Sequence, residues 1–163
     1  MIAPYVTYLR GLPELQFRDA NAQEKARLEE LVMQGMPAEW VPLLQNAAAD
    51  GESECGEFVL YGLSRICDEN LDYIPGANVL PLGLFTIASW SDGDAVCIDL
   101  HDGSVWSCPH ELLGDETVIT LYEDGAFTEL PFDAENVRRV SHCMADSIAE
   151  FVQSLRDEAF DEE

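Results

Sequence analysis

The chain predicts an α+β fold, a single domain in which two N-terminal helices and a C-terminal helix pack with a mostly antiparallel sheet. Three observations lead there. Apolar residues recur at helical spacing up to Gly51, at a period of two beyond it, and at helical spacing again after Ser141. Helices and strands come in runs rather than in strict alternation, which argues against a parallel sheet with crossover helices. Asp102-Gly103 is a two-residue hairpin signal between two β-patterned segments, so consecutive strands pair antiparallel.

The elements follow in order. Residues 1–18 are apolar, carry Pro4 and Pro13, and read as extended or irregular. From Asn21 the pattern turns helical, with Ala22, Ala26, Leu28, Leu31 and Val32 on one face and Gly35 as the stop. Pro37 opens a second helix, because a proline at the first helical position loses no hydrogen bond. Trp40, Val41, Leu43, Leu44 and Ala47 form its apolar stripe, and Asp50-Gly51 ends it. Phe58–Tyr61 is a strand. Residues 66–83 read as a loop or one irregular turn. Leu84–Ala88, Ala95–Leu100 and Val105–Ser107 are strands, separated by the Ser91–Asp94 turn and by Asp102-Gly103. Thr117–Tyr122 is a further short strand, followed by an Asp124-Gly125 turn, and Asn136–Val140 suits either state. Ser141 caps a last helix bearing Met144, Ile148, Phe151, Val152 and Leu155. The tail, 157–163, is acidic and is expected to fray.

Charge dominates the composition. There are 32 Asp and Glu against 8 Lys and Arg, a formal net charge of −24. Residues 1–50 hold seven acids and four bases, a net of −3, and residues 51–163 hold 25 acids and four bases, a net of −21. Such a surface repels nucleic acid and anionic membranes and steers basic proteins towards itself. Apolar residues still make up 47% of the chain, enough for a core at 163 residues, which sets it apart from acidic disordered segments. No apolar run approaches the ~18 residues of a membrane span. The start reads as no signal peptide, so a cytoplasmic location is expected. Cys55, Cys67, Cys97, Cys108 and Cys143 form no CxxC pair and are expected to be reduced and mostly buried.

An ordered set of short motifs resembles the SMI1/KNR4 (SUKH) superfamily. The set comprises Met36–Asn46, the Phe58–Leu63 strand, Phe85–Ala88, Gly93-Asp94, Asp99, Val105-Trp106, His110-Glu111 and the Ser147–Val152 helix. The resemblance covers roughly residues 22–155 of a single domain spanning 1–163. It departs where Ala47 stands in place of a glycine, where Pro109 precedes His110, and in the long Gly114–Val140 insertion. It implies an α+β fold without an established catalytic centre. It implies immunity proteins that neutralise polymorphic toxins, often nucleases, among bacterial members, and regulators of cell-wall synthesis among eukaryotic ones. It also implies a structural role for Asp94.

Candidate chemistry is sparse. Asp92, Asp94, Asp99 and Asp102 lie around two turns, but turn formation accounts for them without a cation, and no EF-hand spacing is present. Cys97, His101, Cys108 and His110 lack the paired spacing of a zinc site, so no metal or other cofactor is expected. His142-Cys143 does not by itself place a base on a nucleophile. No GxSxG, P-loop, GxGxxG or HExxH occurs. Trp90, beside the acidic Ser91–Asp94 turn, stands either as an exposed contact or as a residue packed under the loop. The expected partner surface is Trp90, Asp92, Asp102 and Glu111, with Gly93, Asp94, Asp99 and His110 as structural residues and no catalytic residues. The function expected is that of a non-enzymatic acidic protein, an immunity protein against a basic toxin domain. The alternative is a regulatory or scaffold domain unrelated to toxins. A small hydrolase using surface carboxylates is a weaker third reading.

Overall fold

The fold, given by a computed structural model, is described for residues 1–161, with side chains to Glu158. It has eight strands: β1 (Glu52–Cys55), β2 (Phe58–Tyr61), β3 (Leu84–Trp90), β4 (Ala95–Asp99), β5 (Val105–Cys108), β6 (Val118–Glu123), β7 (Ala126–Pro131) and β8 (His142–Ala145). Six form one antiparallel sheet in the order β1-β2-β3-β4-β5-β8, and β6 and β7 form a separate hairpin. The helices are α1 (Ala3–Arg10), α2 (Ala22–Met33), α3 (Trp40–Gln45), α4 (Leu63–Leu71), α5 (Gly76–Val79), α6 (Ala134–Val140) and α7 (Ile148–Asp161), with a 3₁₀ turn at Leu80–Leu82. This is the α+β class that the periodicity predicts.

The sheet is covered on both faces. Along β4, Val96 and Ile98 join the main core with Tyr5, Leu28, Leu44, Ile66 and Phe151 from the helices. Their neighbours Ala95 and Cys97 point the other way, as alternate strand residues must. They join a second cluster with Leu113, Ile119 and Val137, from the β6–β7 side and α6. All five residues of β4 are therefore buried.

Several elements differ from the sequence reading. Residues 1–18 are not extended: α1 forms because Tyr5, Val6 and Leu9 share a face and Pro4 sits in the first turn, where it loses no hydrogen bond. In α2 the buried face is Glu24, Leu28 and Leu31, while Ala22 and Ala26 are exposed. Glu24 turns inward because it closes a capping box with Asn21 and binds Arg18 at 2.6 Å. The second helix begins at Trp40, three residues after Pro37, and ends at Gln45, short of Asp50. Residues 66–83 are largely helical, with Leu63, Ile66, Cys67 and Asn70 buried at spacings of three and four. β1 was unforeseen, since its sequence, ESEC, carries no β pattern. Asn136–Val140 resolves as α6, capped by Asp133. Ser141 does not cap the last helix: β8 intervenes, and Ser147 accepts the Glu150 N–H at 3.1 Å instead. Helix α7 runs through Asp157 to Asp161, and Glu162 and Glu163 of the acidic tail lie outside the described residues.

One mismatch organises the helical side. β2 has four residues and β3 has seven, and their pairing stops at Leu60 and Ala88. Beyond that point side chains take over. Tyr5 Oη lies 2.8 Å from Ile87 O and 3.0 Å from Tyr61 O, and accepts the Tyr61 N–H at 3.0 Å. Asn70 accepts the Thr86 N–H at 2.8 Å and donates to Thr86 O at 2.8 Å, as a strand residue would, while also donating to Ile66 O. α5 lies close beside: a Cβ on Gly76 would fall 2.0 Å from Glu69 O, so only glycine fits there. Full burial raises the Tyr5 hydroxyl pKa far above its ordinary value, keeping it protonated and able to donate.

Tyr5→Phe strands buried backbone groups and should lower unfolding free energy by about 1–3 kcal/mol. Asn70→Ala, which removes three bonds, should cost more. Urea denaturation checks both, and a Tyr5→Phe chain as stable as the wild type would show that the strand edge does not depend on this hydroxyl.

Candidate protein-binding surface

The residues expected to bind a partner do not converge. The Ser91–Asp94 turn precedes β4 and the Asp99–Ser104 turn follows it, so Asp92 and Asp102 lie at opposite ends of a five-residue strand. That strand is about 17 Å long. Glu111 falls at the Asp92 end, because Ala95 pairs with Cys108 and brings the residues after β5 beside Asp94.

At that end the Gly-Asp and His-Glu motifs meet. Asp94 Oδ1 lies 2.7 Å from His110 Nδ1 and accepts the His110 backbone N–H at 3.1 Å. The imidazole lies over Gly93, whose φ is 103° and whose missing Cβ would sit 3.4 Å from the ring. Asp92 accepts the Asp94 N–H at 3.0 Å and so shapes the turn. Gly93, Asp94 and His110 therefore form a clamp that joins the turn before β4 to the chain leaving β5.

At the opposite end Asp99 is buried. It accepts the His101 N–H at 2.9 Å and the Arg138 Nε–H at 3.0 Å, while Arg138 also donates to Leu82 O and Ala134 O. Asp102 accepts the Ser104 N–H at 2.9 Å and the Ser104 hydroxyl, which in turn accepts the Trp106 indole N–H at 2.8 Å. These Ser104 bonds hold the Asp102 carboxyl below its ordinary pKa. A depressed folded-state value stabilises the turn above the unfolded carboxyl pKa, and that contribution is lost as pH falls through the folded value.

Trp90 is half-buried. Its ring stacks on Phe58 at 4.2 Å, Phe58 meets Phe151 edge-on at 5.5 Å, and the indole N–H donates to Ser107 Oγ at 2.9 Å. Most of what the indole offers a partner is already used within the fold.

The other constellations also resolve. Cys97 and Cys108 are buried neighbours, and a hydrogen bond donated by the Cys97 thiol to Cys108 together with burial raises the Cys97 pKa well above its ordinary value. Among the described residues no group of three His, Cys, Asp or Glu is placed to hold a metal. His142 and Cys143 are adjacent on β8 and point to opposite faces. A cleft of about 640 Å³ is lined by Arg10, Phe17, Arg18, Asp19, Lys25 and Asn46 among others. Its arginines are answered from within: Arg18 by Glu24 and Asp50, Arg10 by Asn46 O at 2.6 Å and by the Phe17 ring.

What the sequence reading missed is the second strand of the β6–β7 arm and the aromatic face that it completes. Asp124 and Gly125 have φ of 51° and 79°, the doubly left-handed geometry of a two-residue hairpin turn. Ile119, Leu121 and Leu130 anchor one side of the arm to the second cluster. On its other side Tyr122 and Phe127 pair across the strands, with ring centroids 4.9 Å apart. They are 65% and 75% exposed. The Thr117–Tyr122 strand signal gave the first half of this arm. Its partner strand, AFTELP, carries too few apolar residues to announce itself.

The arm lies in a stretch of one sign. No lysine or arginine occurs between Arg65 and Arg138. The ion pairs of the described residues draw on Arg18, Arg27, Arg65 and Arg138, apart from the His110–Asp94 contact. Asp92, Asp102, Glu111, Glu116, Glu123, Asp124 and Glu129 take part in none of them. No helix among the described residues is long and apolar enough to cross a membrane. No protein-family model matches the chain, and no curated protein is detectably similar to it.

Trp90→Ala should destabilise the fold by about 2 kcal/mol, roughly half the loss of a fully buried aromatic. Trp90→Phe, which keeps the stack and loses the Ser107 bond, should cost about 1 kcal/mol. Thermal or urea unfolding checks this, and an undiminished stability in Trp90→Ala would return the indole to the list of free surface contacts.

Proposed function

We propose that the chain is a non-enzymatic acidic binding protein whose partner is a basic protein. In its most specific form it is a bacterial immunity protein of the SMI1/KNR4 type that neutralises a basic toxin domain such as a nuclease. The observation that carries the reading is the stretch without lysine or arginine between Arg65 and Arg138. It supplies both turns at the ends of β4 and the whole β6–β7 arm. Carboxylates left without internal cations are neutralised only by counterions or by a partner. A cationic partner that displaces those counterions gains in encounter rate and in complementarity. If the toxin is a nuclease, the same carboxylates stand in for the phosphates of its substrate. The Asp94–His110 clamp supports the family reading, since it gives the Gly-Asp and His-Glu motifs a shared structural purpose. The absence of a legible nucleophile–base pair in the sequence supports a non-catalytic role.

The alternative, a regulatory or scaffold interaction domain, shares this electrostatic surface but not the toxin. Co-expression separates the two: an immunity protein restores growth to cells making its toxin, and a scaffold does not.

The binding reading itself is tested on a partner isolated by affinity capture. The Debye length shrinks from about 10 Å at 0.1 M salt to about 3 Å at 1 M. Association followed by stopped flow should therefore slow by about tenfold or more over that range, with a much smaller change in dissociation. A tight partner that is itself acidic, bound at a salt-independent rate, would remove the basis of this function.

A further inference from the structure

We propose that the outward face of the β6–β7 arm, centred on Tyr122 and Phe127, is the surface on which the basic partner docks. This rests on the reading of the chain as an acidic binding protein and gives it a location.

Two large aromatics exposed by 65% and 75% stand side by side. The fold makes no use of their outer faces, because the arm is anchored by its opposite side through Ile119, Leu121 and Leu130. The pair is preorganised: Tyr122 and Phe127 are directly opposite in register and adjoin a tight two-residue turn. Binding therefore orders little that is not already ordered. Aromatic anchors ringed by polar groups are the usual energetic centre of a protein interface. Here the ring is acidic. Glu129 shares the outward face, two residues along β7 from Phe127, and Glu123 and Asp124 lead into the turn. An exposed aromatic face beside carboxylates suits arginine in particular, which stacks on the ring and pairs with the acid.

A second copy of this chain is a poor occupant. Each copy carries −24, and a two-fold contact through the outward face would gather Asp124 and Glu129 of both copies into one interface, with no lysine or arginine in either arm to offset them. Charge complementarity selects a cationic protein. Trp90 does not compete for the role, since its ring and its N–H are committed to Phe58 and Ser107.

The test uses the full chain with a photo-crosslinking phenylalanine analogue in place of Phe127 and, in a second preparation, in place of Asp92. Both are irradiated in the native cell, and crosslinked proteins are identified by mass spectrometry. The expected result is a positively charged protein joined through position 127. That protein is then purified and its kinetics measured. Tyr122→Ser with Phe127→Ser should speed dissociation by about tenfold or more, since residues of this kind carry most of an interface's binding energy. It should leave the association rate and, because both side chains are exposed, the urea midpoint nearly unchanged. Glu123→Gln with Glu129→Gln should slow association instead. Crosslinking through position 92 and not 127, an unaltered dissociation rate in the aromatic double variant, or no crosslink at either position would remove the arm as the docking face while leaving an acidic binding protein. Crosslinks only between copies of the chain would assign the face to self-association. A crosslinked partner that is acidic and insensitive to salt would overturn both the surface and the function it rests on.

Discussion

The fold depends on how the long strand β3 is completed where its short neighbour ends. Four residues of β3, Leu84 to Ile87, extend past its last pairing with β2, and they are buried under the helical layer. Unpaired backbone polar groups in such a place are costly, so something must take over the ladder. Tyr5 does so from α1 and Asn70 from α4. These two side chains fix where both helices sit, and Gly76 allows the following chain to pass close enough to close the gap. The irregularity in the β3–β4 pairing falls at the same point, between Thr86 and Ala88. Ile87 thereby presents its carbonyl to Tyr5 while its side chain stays in the core. Helix placement, the strand irregularity and the buried hydroxyl are one solution to a single hydrogen-bonding demand.

This also explains which parts of the fold could be read from the sequence. The strands β2 to β5 were legible because they are apolar, short and punctuated by Asp-Gly and Gly-Asp turns. The register of hydrophobic residues in β4, buried on both faces, likewise follows from its unbroken AVCID run. Helices α1 and α4 were obscured because the residues that define their role are polar or sit beside prolines. Asn70 on a helix face reads as solvent-facing unless the strand edge it completes is known. Glu24 poses a related difficulty in α2, where the N-cap Asn21 and the nearby Arg18 hold a carboxylate inward. β1 and β8 were illegible for a related reason: edge strands of four residues take their conformation from the neighbour they pair with rather than from their own pattern.

The candidate binding surface shows a sharper division. Gly93, Asp94, Asp99 and His110, expected as structural residues, make their contacts within the framework, and of the residues expected on the partner surface Asp92 and Asp102 also brace turns. Trp90 belongs largely to that framework as well. Turn chemistry and exposed acidity look alike in a linear sequence, because aspartate serves both, and only the hydrogen-bond partners tell them apart. Tyr122 and Phe127 went unnoticed for the opposite reason. An aromatic at alternate spacing in a short strand reads as core, and nothing local reveals that the arm has a second side with nothing over it.

That division bears on where partner choice would reside. The motifs that carry the family resemblance are spent on internal bonds: Asp94 on His110, Asp99 on Arg138, Trp106 on Ser104. A protein built on the same framework could keep all of them and bind something else. The segment that departs from the resemblance, 114–140, contains the arm and α6, and its tie to the framework is narrow. Arg138 reaches back to Asp99 and Leu82, and a few apolar residues fill the second cluster. Such an insertion can change its outer residues without disturbing β4, since its inner side alone meets the core. On this framework, the proposed docking face is free to vary in the arm while the strand-edge and clamp interactions hold the fold constant.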